Sequence, residues 1–128
     1  MAMLNGKHVI LCVDDDPDIL EALRVVLEAN GYIVGTATSA EEGLRVYKEM
    51  KPDLLIVDLM MEEIDAGTRF VKELQAMGNK APIYILSSTG DNLQAAIDFS
   101  ELGLSGIFQK PIRPDTLLAL LKAKLKKQ

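Results

Sequence analysis

The feature that most constrains the fold is a run of four apolar residues, 54–57, that ends directly at an aspartate, Asp58. Two of the four are β-branched and none alternates with a polar residue, which is typical of a strand buried on both faces. Pro52 disfavours a helix in front of the run, so the pattern predicts a strand over residues 53–57. Strands of this kind belong to parallel sheets, in which ligands bind beyond the carboxyl ends of the strands. Taken alone, Asp58 is better explained as an ordinary loop residue than as a functional one.

Four other apolar segments predict strands, and segments with helical spacing of apolar residues alternate with them. The strands are predicted over residues 8–13, 32–37, 82–86 and 106–109. Five helices are predicted. The first follows an N-cap at Asp16, the second begins with a capping box of Ser39 and Glu42, and the third ends at Gly78. The fourth covers residues 92–102, and the fifth begins at Pro114. Within these elements we expect Cys12 and Met77 in the core and His8 on the surface.

Five strands alternating with five helices predict one α/β domain over residues 1–128, with a doubly wound parallel sheet and right-handed crossovers. The net charge of −5 argues against nucleic-acid binding by this chain alone. A single cysteine excludes an internal disulfide and fits a reducing cytosol. No apolar stretch approaches membrane-spanning length, so we expect a cytoplasmic protein.

Polar residues follow four of the predicted strands at the point where each ends. Asp14 and Asp15 end the first strand, Asp58 the third, Ser87 the fourth and Lys110 the fifth. Adjacent strands lie about 4.8 Å apart, so carboxylates that end adjacent strands share one pocket. Three carboxylates there repel one another unless a cation intervenes. A hard divalent ion with oxygen ligands resolves this repulsion, and Mg²⁺ suits a site that awaits a phosphoryl group.

The same strand ends supply groups for phosphoryl transfer. Lys110 offers a point charge and Ser87 a hydroxyl, and both can hold phosphoryl oxygens. No histidine or cysteine is placed to act as the nucleophile. A carboxylate must then be the nucleophile, and the product is an aspartyl phosphate.

Four stretches carry a resemblance to a known family: Val13-Asp14-Asp15, Ile56-Val57-Asp58, Leu86-Ser87-Ser88 and Gln109-Lys110-Pro111. With them the chain resembles the receiver domain of a two-component response regulator, of the stand-alone type that resembles chemotaxis regulators. The resemblance spans nearly the whole chain. It implies a flavodoxin-like (βα)5 fold with a five-stranded parallel sheet of order 2-1-3-4-5.

The resemblance also implies roles for the metal-site residues. Asp58 is the phosphoacceptor, and Asp15 and Asp58 bind Mg²⁺ directly. Asp14 acts mainly through a metal-bound water, and the backbone carbonyl of Met60 completes the protein ligands.

Two further residues take roles from the same resemblance. Ser87 takes the place of the switch hydroxyl, and Lys110 contacts the phosphoryl group. The peptide bond between Lys110 and Pro111 is expected to be cis.

The chain departs from the family pattern at three positions. Glu62 and Ala66 stand in the loop after Asp58, where the family usually has Pro and Gly, so Glu62 adds negative charge near the site. Ile107 stands where the family usually has an aromatic residue, three positions before Lys110.

The implied function is that of a signalling domain rather than an enzyme. A sensor histidine kinase or a phosphotransfer protein transfers a phosphoryl group to Asp58, and this switches a surface that binds an unknown effector protein. No nucleic acid and no membrane is an expected partner of this chain alone. Two alternatives remain open. One is a receiver-like interaction module that acts without phosphorylation, and the other is a haloacid-dehalogenase-like phosphatase using Asp14 and Asp16.

Overall fold

A computed structural model describes residues 3–4, 7–58, 66–87, 104–110 and 112–125 of the chain; for residues 3–4, 66–68 and 87 it describes the backbone alone. In these ranges the strands are β1 (Met3–Leu4), β2 (Lys7–Val13), β3 (Ile33–Ala37), β4 (Leu54–Asp58), β5 (Ile83–Ser87) and β6 (Gly106–Gln109). The helices in the same ranges are α1 (Pro17–Ala29), α2 (Ala40–Met50), α3 (Ala66–Ala76) and α4 (Pro114–Lys124). The helix predicted over residues 92–102 lies outside the described residues.

The five predicted strands form one parallel sheet in the spatial order β3-β2-β4-β5-β6. Counted without β1, this is the order 2-1-3-4-5, so the predicted topology is confirmed. The strand boundaries also agree with the prediction to within one residue. The short β1 was not predicted; it pairs antiparallel with the start of β2, and Met3 lies opposite His8.

The core lies on both faces of the sheet because adjacent strand residues point in opposite directions. Toward α2 and α3, the strands contribute Leu11, Val13, Leu55, Val57, Ile83 and Ile85. Toward α1 and α4, they contribute Ile10, Cys12, Leu54, Ile56, Tyr84 and Leu86. This double burial explains why β2 and β4 are continuous apolar runs instead of alternating ones.

The predicted N-caps are confirmed. Asp16 caps α1 by accepting a hydrogen bond from the backbone N–H of Asp18 at 2.9 Å. Ser39 caps α2 by accepting one from the N–H of Glu42 at 3.1 Å. The return bond of the capping box shifts by one residue, because the Glu42 carboxylate accepts from the N–H of Thr38 at 2.7 Å. Polar side chains thus satisfy backbone donors at both helix starts.

Three predictions of burial or exposure can be compared with the structure: those for His8 and Met77 were wrong, and the one for Cys12 is confirmed. His8 is buried, since its ring packs beside Asp53 with 3.8 Å between Nδ1 and Oδ2. Met77 is 41% exposed, because it lies just beyond the last turn of α3. Cys12 is completely buried, and this burial together with the negative charge of Asp14 raises the pKa of its thiol to about 12. Cys12 is therefore a core residue without thiolate chemistry.

The helices in the part of the chain that the structure describes include none that combines the length and the apolar character needed to cross a membrane.

Candidate functional site

The register of two central strands places Asp14 beside Asp58. Val13 pairs with Val57, so the next residue along each strand reaches the carboxyl edge of the sheet at the same level. Asp14 is completely buried and Asp58 is 5% exposed. The backbone N–H of Asp14 also donates to the carbonyl oxygen of Ala37 at 3.0 Å, which ties the first carboxylate to the end of β3.

Lys110 follows β6 and reaches across β5 to both buried carboxylates. Its Nζ lies 3.1 Å from Asp14 Oδ2 and 3.2 Å from Asp58 Oδ2, and its side chain is only 19% exposed. Burial by itself lowers the pKa of the Lys110 ammonium. The hydrogen bonds and charges of Asp14 and Asp58 outweigh that effect, so its pKa is raised above the ordinary value. Lys110 is therefore a charged bridge between the two aspartates.

Both oxygens of the Asp14 carboxylate have a partner. Oδ1 accepts a hydrogen bond from the backbone N–H of Asp16 at 2.9 Å, and Oδ2 faces the Lys110 ammonium. This holds the Asp14 carboxylate in one orientation. Asp15, in contrast, is exposed and open to solvent. Of the two, Asp15 is therefore the more accessible direct ligand for a metal ion.

The three aspartates form a donor set that fits a hard divalent cation. One carboxylate oxygen each from Asp14, Asp15 and Asp58 lie within 4.8 Å of one another. Lys110 offsets only part of their charge. Mg²⁺ prefers a few carboxylate oxygens and completes its octahedral shell with water, which the exposed side of Asp15 allows. The predicted fourth ligand, the carbonyl of Met60, lies outside the described residues.

The remaining predicted residues are described only in part. The backbone of Ser87 ends β5 and pairs with Gln109, the residue before Lys110, so it lies at the same edge of the sheet. The side chain of Ser87 lies outside the described part of the chain, and so do Glu62 and the peptide bond between Lys110 and Pro111. The backbone N–H of Asp16 was not predicted as part of the site, although a local pattern indicates it. Asp14 accepts a hydrogen bond from the residue two positions later, a common local pattern for aspartate in turns.

Ile107 and Phe108 lie on opposite faces of the sheet, as expected for consecutive strand residues. Ile107 is half-buried and pairs with Ile85, on the face toward α2 and α3. Phe108 is buried on the other face, with its ring centroid 5.5 Å from that of Tyr84. Phe108 therefore cannot take the place of the aromatic residue that the family usually has at position 107.

Comparison with known sequences identifies one family. A family model described as the response regulator receiver domain matches residues 10–122. The transcriptional regulatory protein GlrR of Escherichia coli is 39% identical over 108 residues, 84% of this chain and 24% of that protein. The alkaline phosphatase synthesis transcriptional regulatory protein PhoP of Bacillus subtilis is 34% identical over 124 residues, 97% of this chain and 50% of that protein. The chain thus spans a quarter to a half of the length of these curated relatives.

Comparison with solved structures gives the same result. A response regulator receiver domain protein from Methanospirillum hungatei has a TM-score of 0.82 and 26% identity, covering 93% of this chain and 94% of that one. The chemotaxis response regulator CheY4 of Vibrio cholerae has a TM-score of 0.79 and 29% identity, covering 92% and 98%. Sequence, topology and the carboxylate site agree, and the chain belongs to the receiver domains of two-component response regulators.

Proposed function

We propose that Asp58 accepts a phosphoryl group from a phosphohistidine of a sensor kinase or a phosphotransfer protein. The observation that carries this proposal is the Lys110 ammonium 3.2 Å from Asp58 Oδ2, at the carboxyl edge of the sheet. A carboxylate oxygen of Asp58 attacks phosphorus as the P–N bond breaks, and the donor imidazole leaves with the electron pair. Lys110 already carries the charge that stabilises the phosphoryl oxygens during transfer.

The same site accounts for the metal requirement that we propose. Asp15 and Asp58 would hold Mg²⁺ directly and Asp14 through a bound water, with the Met60 carbonyl as the remaining protein ligand. When bound, Mg²⁺ neutralises negative charge on the phosphoryl oxygens. The chain's own part is to hold Asp14 in place through the N–H of Asp16 and to place the Lys110 charge.

We infer that the phosphorylated chain acts as a cytoplasmic signalling domain rather than as an enzyme with a turned-over substrate. A phosphoryl dianion on Asp58 attracts Lys110 and the Ser87 hydroxyl, and it shifts the domain between two pre-existing states. The effector is another protein or another part of a longer chain, since GlrR and PhoP, both described as transcriptional regulatory proteins, are longer than this chain.

One experiment separates this function from its alternatives. The chain is incubated with acetyl phosphate and Mg²⁺, and in parallel with a phosphomonoester. Stable addition of one phosphoryl group supports the receiver function. Continuous hydrolysis of the phosphomonoester would instead indicate a phosphatase, and no reaction in either arm would indicate an interaction module that works without phosphorylation.

We infer that the donor protein covers an apolar groove beside the phosphorylation site. The groove has a volume of about 410 Å³ and lies between α1 and α4, with walls that include Ala22, Val26 and Leu117. Lys110 lines the groove and also contacts Asp58, so a donor protein seated at Asp58 lies next to this surface. Burial of the groove would give the donor affinity that a small phosphodonor lacks.

Ala22→Glu should slow phosphotransfer from the donor protein about tenfold or more, because a charge in an apolar interface is desolvated without a partner. Phosphorylation by acetyl phosphate should not change. The matched control is Val25→Glu on the same helix, since Val25 is 53% exposed and does not line the groove. Time courses with radiolabelled donor measure both variants. Equal slowing by Ala22→Glu and Val25→Glu would contradict this docking surface.

Activation should leave Ile107 nearly unchanged. A β-branched side chain is stiff at χ1 and cannot sweep the volume that an aromatic ring would. Beryllofluoride with Mg²⁺ mimics the phosphoryl group on Asp58, and methyl and backbone NMR spectra measure the response. We expect small shifts at Ile107 and larger ones at residues 88–91. A changed rotamer at Ile107, with shifts as large as those at residues 88–91, would show that Ile107 relays the signal.

A further inference from the structure

A second cleft lies at the amino edge of the sheet, at the opposite end of the strands from Asp58. It has a volume of about 590 Å³ and opens between the carboxyl-terminal ends of α2 and α3. Its lining includes Tyr47 and Lys48 from α2, and Asp53 and Pro82, which directly precede β4 and β5. A smaller cleft of about 260 Å³ shares its residues 79–82 and extends toward the start of β6. Together these clefts form a groove, which we call the amino-edge groove.

Internal hydrogen bonds hold the wall of the amino-edge groove in shape. The hydroxyl of Tyr47 donates to Asn79 Oδ1 at 2.9 Å, and the backbone N–H of Ala81 donates to the same oxygen at 3.1 Å. Asn79 Nδ2 donates in turn to the carbonyl of Ala81 at 3.0 Å. Lys51 adopts a left-handed conformation with φ of 52°, and its N–H donates to the Tyr47 carbonyl at 2.9 Å. These bonds order the groove without help from a ligand, which lowers the cost of binding one.

The groove is positively charged although the chain carries a net charge of −5. Lys48, Lys51 and Lys80 line it, all three are exposed, and none forms an ion pair with a described residue. The carboxylate among its lining residues is Asp53, which is turned inward. Asp53 accepts a hydrogen bond from the N–H of Val9 at 2.8 Å, and its side chain is 7% exposed. Three lysines therefore line the groove, and no described carboxylate forms an ion pair with them.

The charge of a helix end does not explain all three lysines. Lys48 lies in the last turn of α2, where a cation stabilises the helix dipole. Lys80, however, lies beyond α3 in the segment leading to β5. Lys48 and Lys80 thus line the same cavity from separate elements, as expected for a site that binds an anion.

We propose that the amino-edge groove binds a small organic phosphate, with phosphate oxygens at the lysines and a ring against the apolar wall. Ammonium groups suit phosphate because they act as point charges with three donors each. Tyr47 and Pro82, which are both half-buried, supply the apolar surface for the ring. The volume matches small-molecule sites of roughly 300–1,000 Å³. A stable protein partner would need a surface of about 800 Å² per side instead of a depression of this size.

The test is an NMR titration of the full chain with adenosine diphosphate in the absence of Mg²⁺. We expect amide shifts at residues 47–53 and 79–82 and none at Asp58. Pyrophosphate and adenosine, titrated separately, represent the two halves of the ligand. Each should bind at least threefold more weakly than adenosine diphosphate. Raising the salt concentration should weaken binding, because the lysines are exposed to screening.

Variants assign the binding to the lysines. The double variant Lys48→Gln, Lys80→Gln should bind adenosine diphosphate about tenfold more weakly, because each lost charge weakens binding about threefold. The matched control is Lys122→Gln with Lys124→Gln, which removes the same charge from α4 and should leave the affinity unchanged. Three results would each overturn the proposal: the two double variants weaken binding equally, pyrophosphate binds as tightly as adenosine diphosphate, or adenosine diphosphate causes no shifts at millimolar concentration. Asp58→Asn should bind normally, so the outcome is independent of the function proposed for Asp58.

Discussion

Asp58→Asn should abolish phosphorylation of the chain. The amide of asparagine has nearly the same size as the carboxylate and can still accept a hydrogen bond from Lys110, but it is not a nucleophile. The wild type, incubated with acetyl phosphate and Mg²⁺, should gain the mass of one phosphoryl group. The variant should gain none, and intact-mass spectrometry measures both.

The control for this prediction is Asp16→Asn, two residues after Asp14. Asp16 is exposed, and asparagine caps a helix as well as aspartate does, so the fold should not change. The backbone N–H that orients Asp14 is also retained. Asp16→Asn should therefore be labelled like the wild type. Labelling of Asp58→Asn to the wild-type extent would show that another residue is the phosphoacceptor.

Lys110→Met should lower the free energy of unfolding by about 2 to 3 kcal/mol in the absence of a metal ion. Methionine keeps the unbranched stem of the side chain but lacks the terminal ammonium, so it removes the charge that lies between Asp14 and Asp58. Two buried carboxylates are then left to repel each other, and removing one partner of a buried ion pair is costly. Urea denaturation measures the difference, and Lys122→Met, which removes an exposed charge from α4, is the control.

Mg²⁺ should restore part of this loss, because it brings positive charge to the same three aspartates. Binding to the native state alone adds roughly 1 to 2 kcal/mol at several times the dissociation constant. We expect a larger gain in Lys110→Met than in the wild type, since Lys110 no longer offsets the charge of the carboxylates in the variant. A variant as stable as the wild type without metal, or one indifferent to Mg²⁺, would contradict the arrangement described here.

The pH dependence gives an independent measurement of the same bridge. The pKa of Lys110 is raised in the folded chain above its ordinary value of 10.5. The stabilisation by Lys110 should therefore be complete below that ordinary value and disappear as the pH rises through the raised one. The difference in unfolding free energy between the wild type and Lys110→Met should shrink accordingly above pH 10.5.

Local pattern was sufficient wherever burial covered a whole strand. The apolar runs of β2 and β4 predicted their strands to within one residue, because helices cover both faces of these central strands and most of their side chains are therefore apolar. The meeting of Asp14, Asp58 and Lys110 was predictable for a related reason. Parallel strands end at one edge, so residues that directly follow them come together whatever the intervening helices are.

Single side chains at the ends of elements depended on tertiary contacts. His8 is polar and stands at the start of a strand, so it was predicted on the surface. In the folded chain it is buried, with the carboxylate of Asp53 beside its ring. Met77 continues the helical spacing of α3, yet it is exposed because the helix ends before it. The amino-edge groove is a third case, since Tyr47 and Asn79 are 32 residues apart and meet only in the folded chain.

Sequence patterns alone were enough to predict the order of the five parallel strands, the N-caps at Asp16 and Ser39, and the edge of the sheet that carries the aspartates. These follow from periodicity, local capping bonds and chain direction, each of which acts within a few residues or on the sheet as a whole. The bridge that Lys110 forms between Asp14 and Asp58, and the burial of Asp14 beside an exposed Asp15, are visible only in the folded chain. Those outcomes depend on distances of a few ångströms between residues far apart in the chain, and no local pattern encodes such distances.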